Sequence, residues 1–215
     1  MKEKLDAIIP KATAKRLALY YRYLRTLHDK GIDKTNSKEL SEALQVDSAT
    51  IRRDFSYFGE LGKRGYGYDV ENLVNFFAKT LNDDQLTKVA LVGVGNLGSA
   101  LLKYKFHQNN NLRISVAFDS DKNLVGKKIG DIEIFPMNKI KEILEKEKLE
   151  IVILAVPSEV AQELAEELIE IGVKGFLNFT PHRIITPNDV VVQSVDLTNE
   201  LQTLIYFLKK KKEEL

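Results

Sequence analysis

The stretch KVALVGVGNLGSALL, residues 88 to 102, decides the fold of the larger part of this chain. It places glycines at 93, 95 and 98 in a G-x-G-x-x-G spacing, between a segment typical of a strand and one typical of a helix. That spacing in that setting is the fingerprint of a dinucleotide-binding turn. The glycines permit a tight turn, a close approach to a pyrophosphate and close packing of the helix on the sheet. The candidate binding residues of the turn are Gly93, Val94, Gly95, Asn96, Leu97 and Gly98.

Strand and helix patterns alternate from residue 88 onward. The predicted strands span 88–93, 112–118, 132–135, 151–156, 175–179 and 190–194, and the predicted helices span 96–107, 138–147, 158–171 and 197–212. Two of the strands are continuous apolar runs, as expected where both faces of a sheet are covered. The alternation predicts an α/β fold of the Rossmann type, with a parallel sheet and helices on both of its faces.

The strand after the glycine turn ends in Asp119, 21 residues beyond Gly98. A carboxylate at that place accepts hydrogen bonds from the hydroxyls of the adenosine ribose and repels a phosphate on that ribose. The expected cofactor is therefore NAD(H) rather than NADP(H), and CoA is disfavoured because its ribose carries a phosphate. The alternative is that the glycines only make a tight turn and that Asp119 only caps the end of a strand.

Two further predicted strands end at the same edge of the sheet, where open α/β sheets bind ligands. Ala155, Val156 and Pro157 would form a small apolar wall, which we place at the nicotinamide half of the ligand. There it would disfavour the positive charge of NAD⁺ and so favour NADH. His182, after the next strand, has no obvious carboxylate partner in the sequence, and no catalytic residue is predicted.

Composition excludes several other classes of protein. Cysteine is absent, and the three histidines lie far apart without the spacing of metal ligands, so no disulfide and no metal site is expected. No apolar run approaches the roughly 18 residues that a membrane-spanning helix needs. The first 16 residues lack the apolar core of a signal peptide. We therefore expect a cytoplasmic protein without a membrane partner.

Charge divides the chain into two parts. Residues 1–68 carry a net charge of +5 and residues 69–215 a net charge of −4, although the whole chain carries only +1. Two parts of opposite sign indicate two domains with different partners. The basic part is a candidate for binding a polyanion such as nucleic acid.

Three helices are predicted in the basic part, over residues 11–29, 36–44 and 47–61. Asn36 and Asp47 have the positions of N-caps for the second and third helix. Only about three residues separate these two helices, which is the layout of a helix-turn-helix whose second helix enters the major groove of DNA. The outward side chains of that helix suit phosphates and base edges, and they are Ser48, Thr50, Arg52, Arg53 and Ser56.

The segment GKRGYGY, residues 62–68, combines three glycines with two cations and two tyrosines. This composition predicts a tight hairpin, the wing of a winged helix, with Lys63, Arg64 and Tyr66 facing DNA. The alternative for the basic part is a small helical domain with a solvated basic face.

The last predicted helix is apolar on two sides. One stripe consists of Leu197, Leu201, Leu204, Ile205 and Leu208, and Tyr206 and Phe207 extend it to a second side. A terminal helix with two apolar sides needs two surfaces to pack against. It therefore docks on its own domain or crosses to a second subunit.

The order of these motifs resembles the Rex family of bacterial redox-sensing transcriptional repressors over essentially the whole chain. The matching segments are IRRDFSYFGELGKRGYGY (51–68), VGVGNLGSALL (92–102), AVPSEVAQ (155–162), NFTP (178–181) and SVDLTNELQ (194–202). The resemblance implies a winged-helix domain over 1–82, a Rossmann domain over 83–195 and a C-terminal helix over 196–215, swapped within a homodimer. It also implies a repressor that senses the NADH/NAD⁺ ratio, binds a palindromic operator and is released by NADH.

The resemblance further implies a contact between subunits in the DNA-binding state. It involves Arg16 in the first helix, Tyr104 after the glycine turn and Asp196 before the last helix. Leu197 departs from those members that have an aromatic residue at its position. The alternative function is an NAD-dependent oxidoreductase whose N-terminal domain serves in docking or dimerisation.

Overall fold

The computed structural model of the chain describes residues 9–62, 65–81, 85–104, 106 and 111–213. The chain divides between Gln85 and Leu86 into two compact units, each with its own apolar core. This division lies three residues after the end of the predicted winged-helix domain at residue 82. In the described ranges, no helix is long and apolar enough to cross a membrane.

The described part of the first unit consists of helices and two very short strands. In chain order these are α1 (Lys11–Asp29), β1 (Lys34–Thr35), α2 (Ser37–Leu44), α3 (Ser48–Ser56), β2 (Tyr68–Asp69) and α4 (Val70–Thr80). The predicted N-caps are confirmed, because the side chains of Asn36 and Asp47 each accept hydrogen bonds from two backbone N–H groups at the start of α2 and α3. The two helices form the predicted helix-turn-helix.

The recognition-type helix α3 is shorter than predicted. It ends at Ser56, whereas the pattern extended it to residue 61. Beyond it the chain tightens, with the N–H of Phe58 bonded to the carbonyl of Phe55 and the N–H of Gly59 bonded to the carbonyl of Ser56. Such bonds to the third preceding residue end an α-helix. The apolar spacing continues into the turn because Phe58 still packs against the core.

The predicted hairpin of the wing, residues 62–68, includes Lys63 and Arg64, which lie outside the described residues, and it stays a prediction. After it, β2 pairs antiparallel with β1, with Lys34 opposite Asp69 and Thr35 opposite Tyr68, so the partner of β2 comes from the loop after α1. A strand of two residues carries no periodic signal, which is why the sequence left β1 unassigned.

A cluster of rings anchors α3 to the rest of the first unit. The ring of Phe55 lies 5.4 Å from that of Tyr20, 5.0 Å from that of Tyr68 and 5.4 Å from that of Phe77. Tyr20, Phe55 and Phe77 are buried. Tilted or edge-on ring pairs add about 0.5–1.5 kcal/mol each beyond the area that they bury. The apolar side of α3 is therefore packed against α1 and α4.

The described part of the second unit is built on one sheet of seven strands. Its elements are β3 (Thr87–Val92), α5 (Asn96–Lys103), β4 (Leu112–Asp119), β5 (Lys128–Ile129), β6 (Ile132–Pro136), α6 (Ile140–Glu147), β7 (Ile151–Leu154), α7 (Ser158–Glu170), β8 (Gly175–Asn178), β9 (Val191–Ser194) and α8 (Leu197–Glu213). The strand order is β5-β6-β4-β3-β7-β8-β9, and every neighbouring pair except β5 with β6 is parallel. This is the Rossmann order, which confirms the predicted fold class.

Three details of this unit differ from the prediction. The strand β5 was not predicted, since its two residues are too few to show a period. The helix α5 ends at Lys103 instead of residue 107, because Tyr104 has an extended backbone. The strand β7 ends at Leu154 instead of residue 156.

The sheet has an apolar core on each face. On one face α6 and α7 bury Leu144 and Leu168 against strand residues such as Phe118. On the other face α5 buries Leu102 against Leu91 and Ile114. The carboxyl ends of β3, β4 and β7 therefore lie between the two helical layers, where ligands bind in folds of this kind.

The terminal helix α8 buries none of its residues. Seven apolar side chains on it are between 51% and 63% exposed, namely Leu197, Leu201, Leu204, Ile205, Tyr206, Phe207 and Leu208. Of the two predicted arrangements, docking of this helix on its own domain is therefore not seen in the described part of the chain.

Replacing Gly98 by Ala should destabilise the second unit, because the added Cβ would overlap the carbonyl oxygen of Gly93. Extra atoms in a close-packed site cost about 1–3 kcal/mol. Gly95→Ala is the matched control, since a Cβ there would meet nothing within 4 Å. Thermal unfolding followed by circular dichroism should give a lower Tm for Gly98→Ala than for Gly95→Ala. Equal Tm values would contradict this close approach.

Candidate dinucleotide site and nucleic-acid interface

The glycine turn brings three pieces of backbone into contact. Gly93 has a φ of +92°, and an added Cβ would overlap the carbonyl oxygen of Ala155, at the end of β7. Gly98 lies directly against the carbonyl oxygen of Gly93. Gly95 stands in the N-cap position of α5 and has open space around it. A phosphate can therefore approach the N–H groups at the start of α5, which is the favoured end of a helix for an anion.

A cavity of about 770 Å³ opens at the carboxyl ends of β3, β4 and β7. Among the residues predicted to bind the ligand, it brings together Gly93, Gly95, Asp119, Ala155, Val156 and Pro157. The other predicted residues of the turn do not line the cavity. Val94 and Gly98 are buried in the turn, and Asn96 and Leu97 are exposed at the start of α5.

The carboxylate of Asp119 connects β4 to the glycine turn. Its Oδ2 accepts a hydrogen bond from the N–H of Val94 at 2.6 Å, and its Oδ1 accepts one from the N–H of Asp121 at 2.8 Å. A carboxylate has about four acceptor positions, so positions remain for the hydroxyls of a ligand. The sequence pointed to Asp119, but a bond between residues 25 positions apart has no local pattern that would have revealed it.

The apolar wall lies in the same cavity as Asp119. Ala155, Val156 and Pro157 follow β7, whereas Asp119 ends β4, and β3 lies between these two strands. The N–H of Ala155 donates to the carbonyl of Val92 at 2.9 Å, which holds the wall at the end of β3. The placement of the wall at the nicotinamide half of the ligand stays a prediction.

Sequence reasoning missed two acidic residues of the cavity. Glu163 and Glu167 lie one turn apart on α7 and both line it. With Asp119 they give the cavity three carboxylates, and none of its described lining residues is Lys, Arg or His. On the sequence they look like any solvated pair of a surface helix, because only the packing of α7 places them beside β3 and β4.

The segment that follows β8 has a structural role in the described residues. Asn178 is fully buried, and its amide donates to the carbonyl of His182 at 2.8 Å while accepting hydrogen bonds from the N–H and hydroxyl of Thr180. His182 is exposed and does not line the cavity. Across the described residues, no group of three or more His, Asp or Glu could hold a metal ion.

The predicted DNA-facing residues that the structure describes are all at least partly exposed. Arg52, Arg53 and Ser56 of α3 are exposed, and Ser48 and Thr50 are half-buried. Tyr66 is 78% exposed. The predicted contacts Lys63 and Arg64 lie outside the described residues.

Arg52 is held in place by neighbouring hydroxyls. Its Nη1 donates to the hydroxyl of Ser37 at 3.1 Å and lies 3.5 Å from that of Ser48. Because Ser37 begins α2 and Ser48 begins α3, the guanidinium bridges both helices of the motif. Among the described residues the side chain of Arg53 makes no such bridge, and the hydroxyl of Ser56 donates to its backbone carbonyl. Arg53 is therefore the better placed of the two to reach a base.

Arg16 is paired within its own unit. Its Nε donates to Oδ2 of Asp54 at 2.6 Å and its Nη2 donates to Oδ1 at 2.7 Å. The hydrogen bond to Asp54 is the main reason that the pKa of Arg16 is raised above its already high ordinary value. Burial would raise the pKa of Asp54, but hydrogen bonds from Arg16, Tyr20 and Thr13 outweigh it and lower that pKa. Both groups are therefore charged.

Sequence reasoning missed Asp54 because it looked like one more polar residue of α3. It is 1% exposed and lies on the packed side, between the buried residues Ile51 and Phe55. Three donors of α1 surround it, and no local pattern of α3 predicts them.

The other two residues of the implied subunit contact have local partners. Asp196 caps α8, with Oδ1 accepting hydrogen bonds from the N–H groups of Thr198 and Asn199 at 2.9 and 3.2 Å. Tyr104 is 65% exposed, and its ring lies 4.7 Å from that of Phe106. The implied contact of Arg16 with Asp196 involves a second copy of the chain and stays a prediction.

Comparison with known proteins agrees with both units. The family described as a CoA binding domain matches residues 84–182, and the family described as a putative DNA-binding protein N-terminus matches residues 8–56. The redox-sensing transcriptional repressor Rex 1 of Enterococcus faecalis is 66% identical over 203 residues, which is 94% of each chain. The Rex repressor of Ligilactobacillus salivarius is 61% identical over 93% of this chain and 94% of its own.

Solved structures give the same result. RSP in complex with NAD⁺ and operator DNA is similar with a TM-score of 0.88 and 34% identity, over 96% of this chain and 95% of that one. RSP in complex with NADH has a TM-score of 0.85 and 32% identity, over 96% and 97% of the two chains. RSP is described as a Rex-family repressor. With sequence relatives above 60% identity across both units, this chain belongs to the Rex family of redox-sensing transcriptional repressors.

Proposed function

We propose that this chain is a repressor that binds NAD(H) in its second unit and a palindromic DNA operator through its first unit, and that NADH releases it from DNA. The observation that carries the proposal is the similarity over 96% of the chain to RSP, which was solved with NAD⁺ and operator DNA and, separately, with NADH. A repressor acts at the chromosome, so the cytoplasmic location expected from the sequence is part of the same proposal.

The geometry of the cavity supports NAD(H) as the ligand. The start of α5 receives the pyrophosphate beside Gly95, where no side chain intervenes. Asp119 receives the adenosine ribose, and the nicotinamide half extends across β3 to the wall of Ala155, Val156 and Pro157. There the wall would disfavour the positive charge of NAD⁺ and so favour NADH.

A homodimer is part of the proposal because of α8. Its seven apolar side chains are more than half exposed. Exposed apolar stripes of this kind mark surfaces that associate. The resemblance to Rex proteins implies that the partner of α8 is a second copy of the chain. Two copies related by a two-fold axis would present two α3 helices to the two halves of a palindrome.

The relatives are regulators rather than enzymes. We propose that this chain likewise binds NAD(H) without turning it over, and the alternative of an oxidoreductase is not favoured. The decisive experiment is a gel shift on a palindromic duplex with NAD⁺ and NADH titrated separately. NADH should release the duplex at concentrations at which NAD⁺ does not. Release by neither nucleotide, with steady oxidation of NADH by carbonyl acceptors, would favour the enzyme instead.

Arg53→Ala should weaken specific DNA binding by about 1–3 kcal/mol, since Arg53 is exposed on α3 and suits a base edge. Arg22→Ala, an exposed arginine of α1, is the control for the loss of one positive charge. Lys63→Ala should instead weaken binding to all sequences and lower the salt slope by about one unit. Equal operator affinities for Arg53→Ala and Arg22→Ala, measured by fluorescence anisotropy, would count against α3 as the reading helix.

Asp119→Ala should weaken NADH binding and narrow the gap between NADH and NADPH. The carboxylate both accepts hydrogen bonds from the ribose and repels a phosphate on it. Calorimetry with each nucleotide measures both effects. Equal affinities of the unaltered protein for NADH and NADPH would refute this role of Asp119.

The acidic residues of α7 should contribute to the preference for NADH over NADPH through their negative charge. We expect the substitutions Glu163→Gln and Glu167→Gln each to increase the affinity for NADPH about threefold, ~0.7 kcal/mol, and to leave the affinity for NADH nearly unchanged. Glu170→Gln, an exposed glutamate of α7 outside the cavity lining, is the matched control. The same carboxylates would repel the ribose phosphate of CoA, despite the match to the CoA binding domain family.

Asp196→Asn tests the subunit contact more cleanly than Asp196→Ala. Asparagine caps a helix as well as aspartate does, so α8 keeps its cap, but it cannot form an ion pair with Arg16. Operator binding without NADH should weaken, and NADH affinity should stay equal or increase, because the substitution destabilises only the DNA-binding state. Full operator affinity together with a normal NADH response would contradict the proposed contact between Asp196 and Arg16.

A further inference from the structure

Asp54 is a buried carboxylate on α3 that is saturated with donors. Oδ1 accepts from the hydroxyl of Thr13 at 2.8 Å and from Nη2 of Arg16 at 2.7 Å. Oδ2 accepts from Nε of Arg16 at 2.6 Å and from the hydroxyl of Tyr20 at 2.5 Å. These four bonds fill the roughly four acceptor positions that a carboxylate has. The side chain is therefore fixed in position and in orientation.

All donors come from one side of α1. Thr13, Arg16 and Tyr20 follow the spacing i, i+3, i+7, which places their side chains on one helix face. A single carboxylate of α3 thus meets two turns of α1. Thr13 and Tyr20 are buried, and the side chain of Arg16 is 28% exposed.

A buried ion pair does little for stability as such, because removing two charges from water costs much of what their attraction returns. The apolar neighbours on α3, Ile51 and Phe55, are already buried and anchor the helix. Apolar contact is non-directional, so it fixes how closely α3 packs but constrains rotation about its axis weakly. The two parallel bonds between Arg16 and Asp54 are directional and supply that constraint.

The rotation of α3 decides where its outer side chains point. At about 100° per residue, Arg52 and Ser56 stand roughly opposite to Asp54, and Arg53 about a quarter turn away. All three are exposed. Groups that must match a partner have to be held within about 10–20° of the working geometry.

We propose that Asp54 is a positioning residue for DNA recognition: its bonds to α1 set the rotation of α3 and hence the aim of Arg53. The inference rests on the proposed function, since it presumes that α3 reads DNA. The same bonds couple α1 to the bases that α3 contacts, because a partner group that displaces the guanidinium of Arg16 also displaces Asp54 and hence α3. Asp54 itself touches no DNA.

The test compares sequence discrimination with stability. The probes are a palindromic duplex selected from random sequence by the unaltered protein, and a scrambled duplex of the same length. Asp54→Asn keeps the size of the side chain and removes its charge. We expect the ratio of specific to non-specific affinity to fall about tenfold, which is ~1.4 kcal/mol. NADH affinity should stay within about twofold, since the dinucleotide cavity belongs to the other unit.

Tyr20→Phe is the second variant, in case Asp54→Asn does not fold. It removes one donor, keeps the ring packed on Phe55 and leaves Arg16 paired. The affinity ratio should fall about threefold. Glu60→Gln, which removes an exposed negative charge just after α3, is the control for the general effect of charge on DNA binding and should leave the ratio unchanged.

A residue that only stabilises the fold would lower Tm and leave the affinity ratio unchanged at temperatures well below unfolding, because nearly all molecules are folded there. That result for Tyr20→Phe, or for a folded Asp54→Asn, would overturn the proposal. An equal loss of specific and non-specific affinity would overturn it as well. If the unaltered protein does not select any duplex, the proposed function fails first, and the role of Asp54 fails with it.

Discussion

The contact between the backbone of Gly98 and the carbonyl of Gly93 is the constraint on which the second unit depends. Because neither residue has a side chain, α5 crosses close to the end of β3, and Gly93 turns toward the end of β7. The same approach leaves Gly95 open at the start of α5. The close packing of the sheet and the helix therefore also forms the ligand site.

A carboxylate plays a similar part in each unit. Asp119 joins β4 to the glycine turn through the N–H of Val94, and Asp54 joins α3 to α1 through Arg16. Each connects elements that are distant in sequence, by directional bonds in a partly or fully buried place. In each unit the acid lies next to the residues that would meet a ligand, so the geometry of packing and that of binding are linked.

Charge and exposure separate the tasks of the remaining surfaces. The cavity carries three carboxylates and suits a nucleotide without a phosphate on its adenosine ribose. The outer side of α3 carries Arg52 and Arg53 and suits a polyanion. The stripe of α8 is apolar and exposed, which suits neither ligand and is typical of a surface that packs against another apolar surface.

The sequence by itself determined what local patterns encode: the glycine turn, the helix caps at Asn36 and Asp47, the Rossmann alternation and the apolar stripe of α8. Tertiary structure alone decided which distant residues meet. It paired β2 with β1, brought Glu163 into the cavity and set Asp54 against Arg16. The physical reason is that periodicity and capping act within a few residues, whereas these contacts join positions up to tens of residues apart and arise only once the elements have packed.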